Sequence, residues 1–409
     1  MKISEVSEKY NIPADTLRYY EKFGLIDNVS KISGVRNYSE EDCSRIEFII
    51  CMKHAGLSLE DIKTFINLNK EGDKTIPARL KILEHQKKIL EDEIKNKEKT
   101  LDYLNYKINL YKGMIIMKSK VYFIKEITPE NIIKAYEALG KKLEGKVAVK
   151  MHSGEHGNQN YLRPEFVQDV IRHVGGTVVE CNTAYEGARN TTEKHRELIK
   201  EHEWEKYFPF DLMDADGPDL ELDIPNGKIL KKNYVGKNLA NYDSMMVLSH
   251  FKGHAMGGYG GALKQLSIGC ASSAGKTLIH TAGVTDNQYE LFNNLPEQDH
   301  FLEAMADAAS SVVNHFNGNI VYINVMKNIS VDCDCDGNAS APCMADVGIL
   351  ASLDPVAIDQ ACLDLVYNST DPGKDKLIER IESLHGVHTV EAAAELGVGS
   401  REYELITIE

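Results

Sequence analysis

Apolar and polar positions change rhythm twice along the chain. Residues 4–10 suit a short helix, Asn11-Ile12-Pro13 interrupts it, and a second helix runs from about Ala14 to Phe23. Pro13 suits a helix start, where its missing N–H would be unpaired anyway. Gly24 tolerates the left-handed conformation that closes a helix. Ser30 to Tyr38 has the glycine and the β-formers of a short hairpin. Ser39-Glu40-Glu41-Asp42 and Ser58-Leu59-Glu60-Asp61 read as two further acidic helix starts.

Residues 78–112 are Lys/Glu-rich, with an apolar seam at Leu83, Leu90, Ile94, Leu101, Leu104, Ile108 and Tyr111. The steps of 3, 4 and 7 are the coiled-coil period, although Lys87 and Lys97 interrupt the seam. At about 1.5 Å per residue this helix spans roughly 50 Å. It predicts a homodimer through a coiled coil, since nothing else in residues 1–117 suits pairing two copies. A long amphipathic helix packed on its own domain is the other reading.

From Met117 strand-like runs alternate with helical ones. The strands are Val121–Ile124, Val147–Met151, Thr177–Glu180, Met245–Ser249 and Ile320–Val325. The helices are Pro129–Leu143, Pro164–His173, Leu302–Phe316 and Pro355–Leu365. Strands separated by helices predict an α/β domain with a mainly parallel sheet. The expected organisation is a mainly α winged helix-turn-helix head over 1–72, a coiled-coil helix over 73–116 and an α/β domain over 117–409.

Length and composition agree with this division. A chain of 409 residues has room for two or three domains of about 100–200 residues. No run reaches the roughly 18 apolar residues of a membrane span, and MKISEVSEKY has no apolar signal core. A cytoplasmic protein without a membrane partner is expected. The net charge of −15 looks adverse to nucleic-acid binding until it is divided. Residues 1–70 carry 10 basic and 11 acidic side chains, so the acid excess lies behind the head.

A helix-turn-helix places its second helix in the major groove of double-stranded DNA. On that helix Thr16, Arg18 and Tyr19 are candidates for backbone or base contacts, with Tyr20 structural. In the hairpin, Arg36 and Tyr38 suit phosphate contacts.

Three clusters in the larger domain carry chemical potential. His152-Ser153-Gly154-Glu155-His156 follows a strand, where open α/β sheets bind ligands, as does Asn182 to Arg189. The second cluster contains His250, Lys252, His254, the glycines 257, 258, 260 and 261, Lys264, Cys270 and Lys276. Glycines with nearby lysines suit a small anionic ligand. The register from Gly269 to Thr277 is one residue too long for a Walker A loop. The third cluster is Asp332-Cys333-Asp334-Cys335, with Cys343 eight residues on. A Cys-x-Cys pair cannot fill a tetrahedral site, so Cys270 and Cys343 are candidate partners. Thiolates select zinc or an iron–sulfur cluster, and the ferredoxin spacing is absent.

Two resemblances follow from these motifs. NIPxDTLRYYEKxGLI, GVRNYSEED and GLSLEDIKTFI in this order resemble the MerR family over residues 1–70. That implies a homodimeric transcriptional regulator with an antiparallel coiled coil, acting on a promoter it distorts. VAVKMHSGEHGN, YLRPEFV, SHFKGHAMGGYGGALKQLSIGCASSAGK, DCDCDG and DVGILASLDPVAIDQACLDLV resemble domain of unknown function 362, also catalogued as an iron–sulfur-centre family. That implies a metal- or cluster-bearing domain, 4Fe-4S included, with zinc as the alternative. The expectation is a regulator that senses redox state or a ligand through this domain. The rival is a metal-dependent enzyme acting on a small anion, fused to its own regulator.

Overall fold

Polar caps delimit the N-terminal helices in the computed structural model, which describes residues 1–114 and 118–409. Helix α1 (Ile3–Tyr10) ends on Asn11 and α2 (Ala14–Phe23) on Gly24, both left-handed. Strands β1 (Lys31–Ile32) and β2 (Val35–Arg36) form the wing. Ser33 and Gly34 join them at φ 50° and 80°, the positive angles a tight two-residue hairpin needs. Helix α3 (Glu40–His54) opens with a capping box, Ser39 and Asp42 each accepting the other's backbone N–H. Ser58 caps α4 (Leu59–Lys70). Val6, Leu17, Tyr20, Ile46, Ile49 and Ile62 form the core beneath.

Helix α5 (Ile76–Met114) runs for 39 residues. Ile82 packs on the head core, whereas Leu83, Ile94, Leu101, Leu104 and Ile108 of the seam are exposed and Leu90 is half-buried. Lys87 turns out of the seam to Glu91, one turn on. The side chain of Tyr111 and the expected 116/117 boundary lie outside the described residues. The chain divides into two compact units, Met1–Asn109 and Leu110–Glu409.

The second unit is built on an eight-stranded sheet. Its strands are β3 (Ser119–Ile124), β4 (Val147–Lys150), β5 (Gly176–Glu180), β6 (Phe210–Leu212), β9 (Ser244–His250), β12 (Ile320–Met326), β13 (Gly348–Ser352) and β14 (Tyr403–Thr407). Two ribbons stand apart from it, β7 (Leu220–Asp223) with β8 (Lys232–Val235) and β10 (Lys252–His254) with β11 (Gly258–Gly260). The sheet order is β14-β3-β13-β12-β9-β4-β5-β6. It is mainly parallel, with β13 antiparallel to both its neighbours. Every residue of β9 and β12 is buried, as expected where both faces are covered.

Helices Pro129–Ala138, Pro164–His173, Gln298–Phe316 and Pro355–Tyr367 occupy the expected places, three with Pro in the first turn. The first stops short of Leu143 because the chain turns at Gly140, φ 62°. No described helix is long and apolar enough to cross a membrane. Strands β4, β5, β9 and β12 are parallel, so the segments after them gather at one edge.

Candidate functional site

The loop after β12 is anchored by its central acid. Asp334 faces His250 Nδ1 and Lys252 Nζ, each at 2.8 Å, and all three side chains are buried. Burial pushes the Asp334 carboxyl up, but His250 and Lys252 outweigh it and hold it at about 2. His250 Nε2 faces the Lys327 carbonyl at 2.5 Å, so this ring clamps the loop rather than facing a ligand. Gly253 lets β10 lie against the loop, since a Cβ there would stand 2.1 Å from the Val331 carbonyl oxygen.

The clamp places Cys333 and Cys335 together. Cys333 is buried, and Lys264 Nζ stands 3.8 Å from its sulfur. A hydrogen bond from Cys335 holds the Cys333 thiol well below the usual thiol range, overcoming burial with help from Lys264 and His254. The same bond pushes the Cys335 thiol up. Of the two sulfurs, Cys333 is thus the one whose surroundings favour the thiolate.

Lys264 is held by a remote acid. Asp359 accepts the backbone N–H groups of Ala262 (2.8 Å) and Leu263 (3.0 Å) and a bond from Asn324 Nδ2 (2.8 Å). Burial raises its carboxyl to about 6 against the pull of these bonds. Gly261 admits the carboxylate, because a Cβ there would lie 2.5 Å from Asp359 Oδ1. These glycines thus serve close approach within the protein.

Cys333, Cys335 and His254 form a possible Cys/His metal site, with donor atoms within 4.8 Å of one another. The chemistry of His254 opposes a closed site. Its Nδ1 accepts the N–H of Gly257 (2.8 Å) and of Met256 (3.2 Å), so the neutral ring carries its proton on Nε2 and offers no free lone pair. An iron–sulfur cluster of the four-iron type takes four thiolate-like ligands. Cys270 and Cys343 do not join the pair. Cys270 packs against the Gln265 carbonyl (3.5 Å), and Cys343 donates to the Ile329 carbonyl (3.3 Å). The residues present in one chain do not fit that cluster.

Beside the pair lies a cavity of about 30 Å³, walled by His152, Arg189, His254, Lys264, Lys276 and Cys335 among others. His152 Nδ1 accepts the Gly154 N–H, and burial drives its pKa well down. The structure thus gathers His152, His254, Lys264 and Lys276 and leaves His156 exposed beside Glu201. It adds Glu180 and His280, which the sequence reading did not single out, and draws in Arg189. Arg189 ends the loop noted after β5, and Glu180 ends that strand. His280 carries no such signal, lying inside a helix with Nδ1 at the Lys276 carbonyl.

In the head, Arg18 and Tyr19 are exposed on α2, Thr16 is half-buried, and Tyr20 is buried. Arg18 pairs with Asp15, and Arg36 Nε meets Glu21 at 2.7 Å. Tyr38 corrects the expectation of a phosphate contact. Its ring is 2% exposed in the head core, where an apolar ring is stabilised by burial.

The chain combines two protein families: it belongs to the family described as Domain of unknown function (DUF362), which matches residues 147–364. Its N-terminal part belongs to the MerR HTH family of regulatory proteins, matched over 1–68, with the MerR DNA-binding family over 43–106. Among individual relatives, HTH-type transcriptional regulator AdhR of Bacillus subtilis (strain 168) is 47% identical over 91 residues. Those residues are 22% of this chain and 65% of that protein, so the chain spans less than two thirds of that relative. An uncharacterised HTH-type transcriptional regulator of Haemophilus influenzae is 38% identical over 109 residues, 26% of this chain and 81% of that protein. The crystal structure of HiNmlR, a MerR family regulator lacking the sensor domain, bound to promoter DNA, is 37% identical. It covers 27% of this chain and 89% of its own, with a TM-score of 0.26.

Proposed function

We propose that this protein is a homodimeric, DNA-binding transcriptional regulator whose larger unit senses redox state or a small ligand at the Cys333–Cys335 pair. The observation that carries the reading is the complete head. Two capped helices, a wing and an exposed Arg18-Tyr19 pair stand in the order that reads a major groove. AdhR, a regulator by description, matches this part of the chain. The exposed leucines and isoleucines of α5 support pairing with a second copy, which would bury them.

The sensing half is supported by enclosure. The Cys333 sulfur is buried and the cavity beside it is small, and His156 does not widen it into a cleft. A zinc ion on the Cys333 and Cys335 sulfurs is a second form of this reading, favoured by the closeness of the two donors, although His254 Nδ1 is taken up by backbone N–H groups. The rival reading, an enzyme acting on a small anion, draws on the lysines beside the thiolate.

The test is selection of DNA from a random library by the full chain purified without oxygen. Affinity for the selected site is then compared for reduced, diamide-oxidised and zinc-loaded protein. The expected result is a two-fold symmetric site whose affinity depends on thiol state and loses that dependence in Cys333→Ser. Failure to select any site, or one affinity in all states, refutes the reading.

A further inference from the structure

The cavity beside the cysteine pair is charged in a way its walls do not balance. Arg189, 2% exposed, meets Glu155 through Nε (3.1 Å) and approaches Glu180 through Nη1 (3.6 Å). Its Nη2 is buried with no hydrogen-bond partner among the described residues. Lys276 donates to one backbone carbonyl, that of Ala271, at 2.6 Å. Lys264 reaches the Cys333 sulfur at 3.8 Å. Among the described residues neither ammonium has a carboxylate oxygen within 4.0 Å. The carboxylate on the wall, Glu180, is already shared by Lys150 and Arg189.

The neutral groups do not remove the imbalance. His152 and His254 accept backbone N–H groups at Nδ1, and His280 Nδ1 lies at the Lys276 carbonyl, so these rings add hydrogen-bonding atoms and no negative charge. Arg189 has Glu155 and Glu180, and Lys264 has the Cys333 sulfur, so Lys276, whose pKa burial pulls down, and Arg189 Nη2 are the groups left without an anionic partner, and a buried cation in that state is costly. The size of the space limits that anion. About 30 Å³ accommodates roughly two water-sized groups. Two oxygens on a flat frame fit this, whereas the four oxygens of a tetrahedral anion do not.

We infer that this cavity binds a small planar oxyanion of the carboxylate class, formate-sized at its bound end, held between Arg189, Lys264 and Lys276. The inference rests on the sensor reading above for what the ligand does, and names the class of ligand the sensor takes. It places the anion beside Cys335 and within reach of the ammonium that faces the Cys333 thiolate.

The test is titration calorimetry of the full chain with sodium formate, with sulfate and phosphate as tetrahedral arms, all at one ionic strength. The expected result is saturable binding of one formate per chain, with the tetrahedral anions at least about tenfold weaker. In Lys276→Met, checked for an unchanged circular dichroism spectrum, formate binding falls by about tenfold, the loss expected for one charged hydrogen bond. If that variant does not fold, the wild-type comparison of planar with tetrahedral anions decides. Absence of saturable binding, equal binding of sulfate, or unchanged formate affinity in folded Lys276→Met overturns the site. Affinity for the selected DNA, measured with and without formate, separates the two readings. Formate bound with no change in DNA affinity leaves the site standing and removes its sensor role.

Discussion

The Lys264 ammonium stands 3.8 Å from the Cys333 sulfur, on a turn whose backbone N–H groups are bound by Asp359. This joins the glycine-rich segment to the Cys-x-Cys loop and makes the lysine part of what keeps Cys333 ionised. Replacing Lys264 by Met removes a facing cation, and the Cys333 titration should move up by about one unit. The measurement is the pH dependence of thiolate ultraviolet absorbance, with Cys333→Ser as the blank. An unmoved midpoint would show that the hydrogen bond from Cys335, without Lys264, keeps Cys333 ionised.

Asp334 is a stabilising acid with a defined pH window. Its carboxyl sits at about 2 in the folded chain, below the roughly 3.9 of an unperturbed aspartate. The contribution is therefore fully present above about pH 4 and is lost as pH falls through about 2. Asp334→Asn leaves Lys252 and His250 buried without their anion, so it should destabilise the second unit by about 3 kcal/mol at neutral pH. Urea unfolding followed by Trp204, the chain's one tryptophan and buried in that unit, reports the loss.

Much of this architecture was legible in the sequence, and the limits have physical causes. The long apolar runs of β9 and β12 and the Pro-led helices announced themselves through period and breakers. Strand β13, whose sequence is GILAS, was missed because a short apolar run does not disclose which strand it pairs with. The head was legible down to its caps, but Tyr38 was misplaced because it lies beyond β2, where no strand alternation says which side faces the core. At the site, residue types were read correctly as polar loops at strand ends, while their partners were not. Cys270 and Cys333 lie in one chemical class, yet only the fold separates them by packing one under Gln265. Arg189 meets Glu155, 34 residues away, through a pairing of two loops that no local spacing encodes.

Asp359 should leave a second pH signature, of opposite sign. Its carboxyl is raised to about 6, so between about pH 4 and 6 the folded chain holds more proton than the unfolded one. Stability contributed by this group thus falls as pH rises through that window. Asp359→Asn removes the titration and flattens the slope, while costing about 1–3 kcal/mol because one of its backbone donors then faces an amide N–H. Unfolding by urea across the same pH range, again followed by Trp204, separates the slope from the offset. A slope unchanged by the substitution would assign it to another acid.

The head offers a test that sets a surface pair against a core tyrosine. Arg18 and Tyr19 are exposed on α2, so Arg18→Ala should weaken binding to the selected DNA by about tenfold and lower the salt slope by about one. Tyr19→Ala should weaken binding without a matching change in salt slope, since it carries no charge. Tyr38 is different, because its hydroxyl is buried and has no hydrogen-bond partner among the described residues. Tyr38→Phe removes an unsatisfied polar group from an otherwise apolar core. It should leave DNA affinity unchanged and raise the unfolding free energy of the head by about 1 kcal/mol. Fluorescence anisotropy on labelled DNA gives the affinities, and circular dichroism melting gives the stability. A tenfold loss of affinity in Tyr38→Phe with intact folding would return that hydroxyl to the DNA interface, whereas the packing of its ring beneath the wing predicts none.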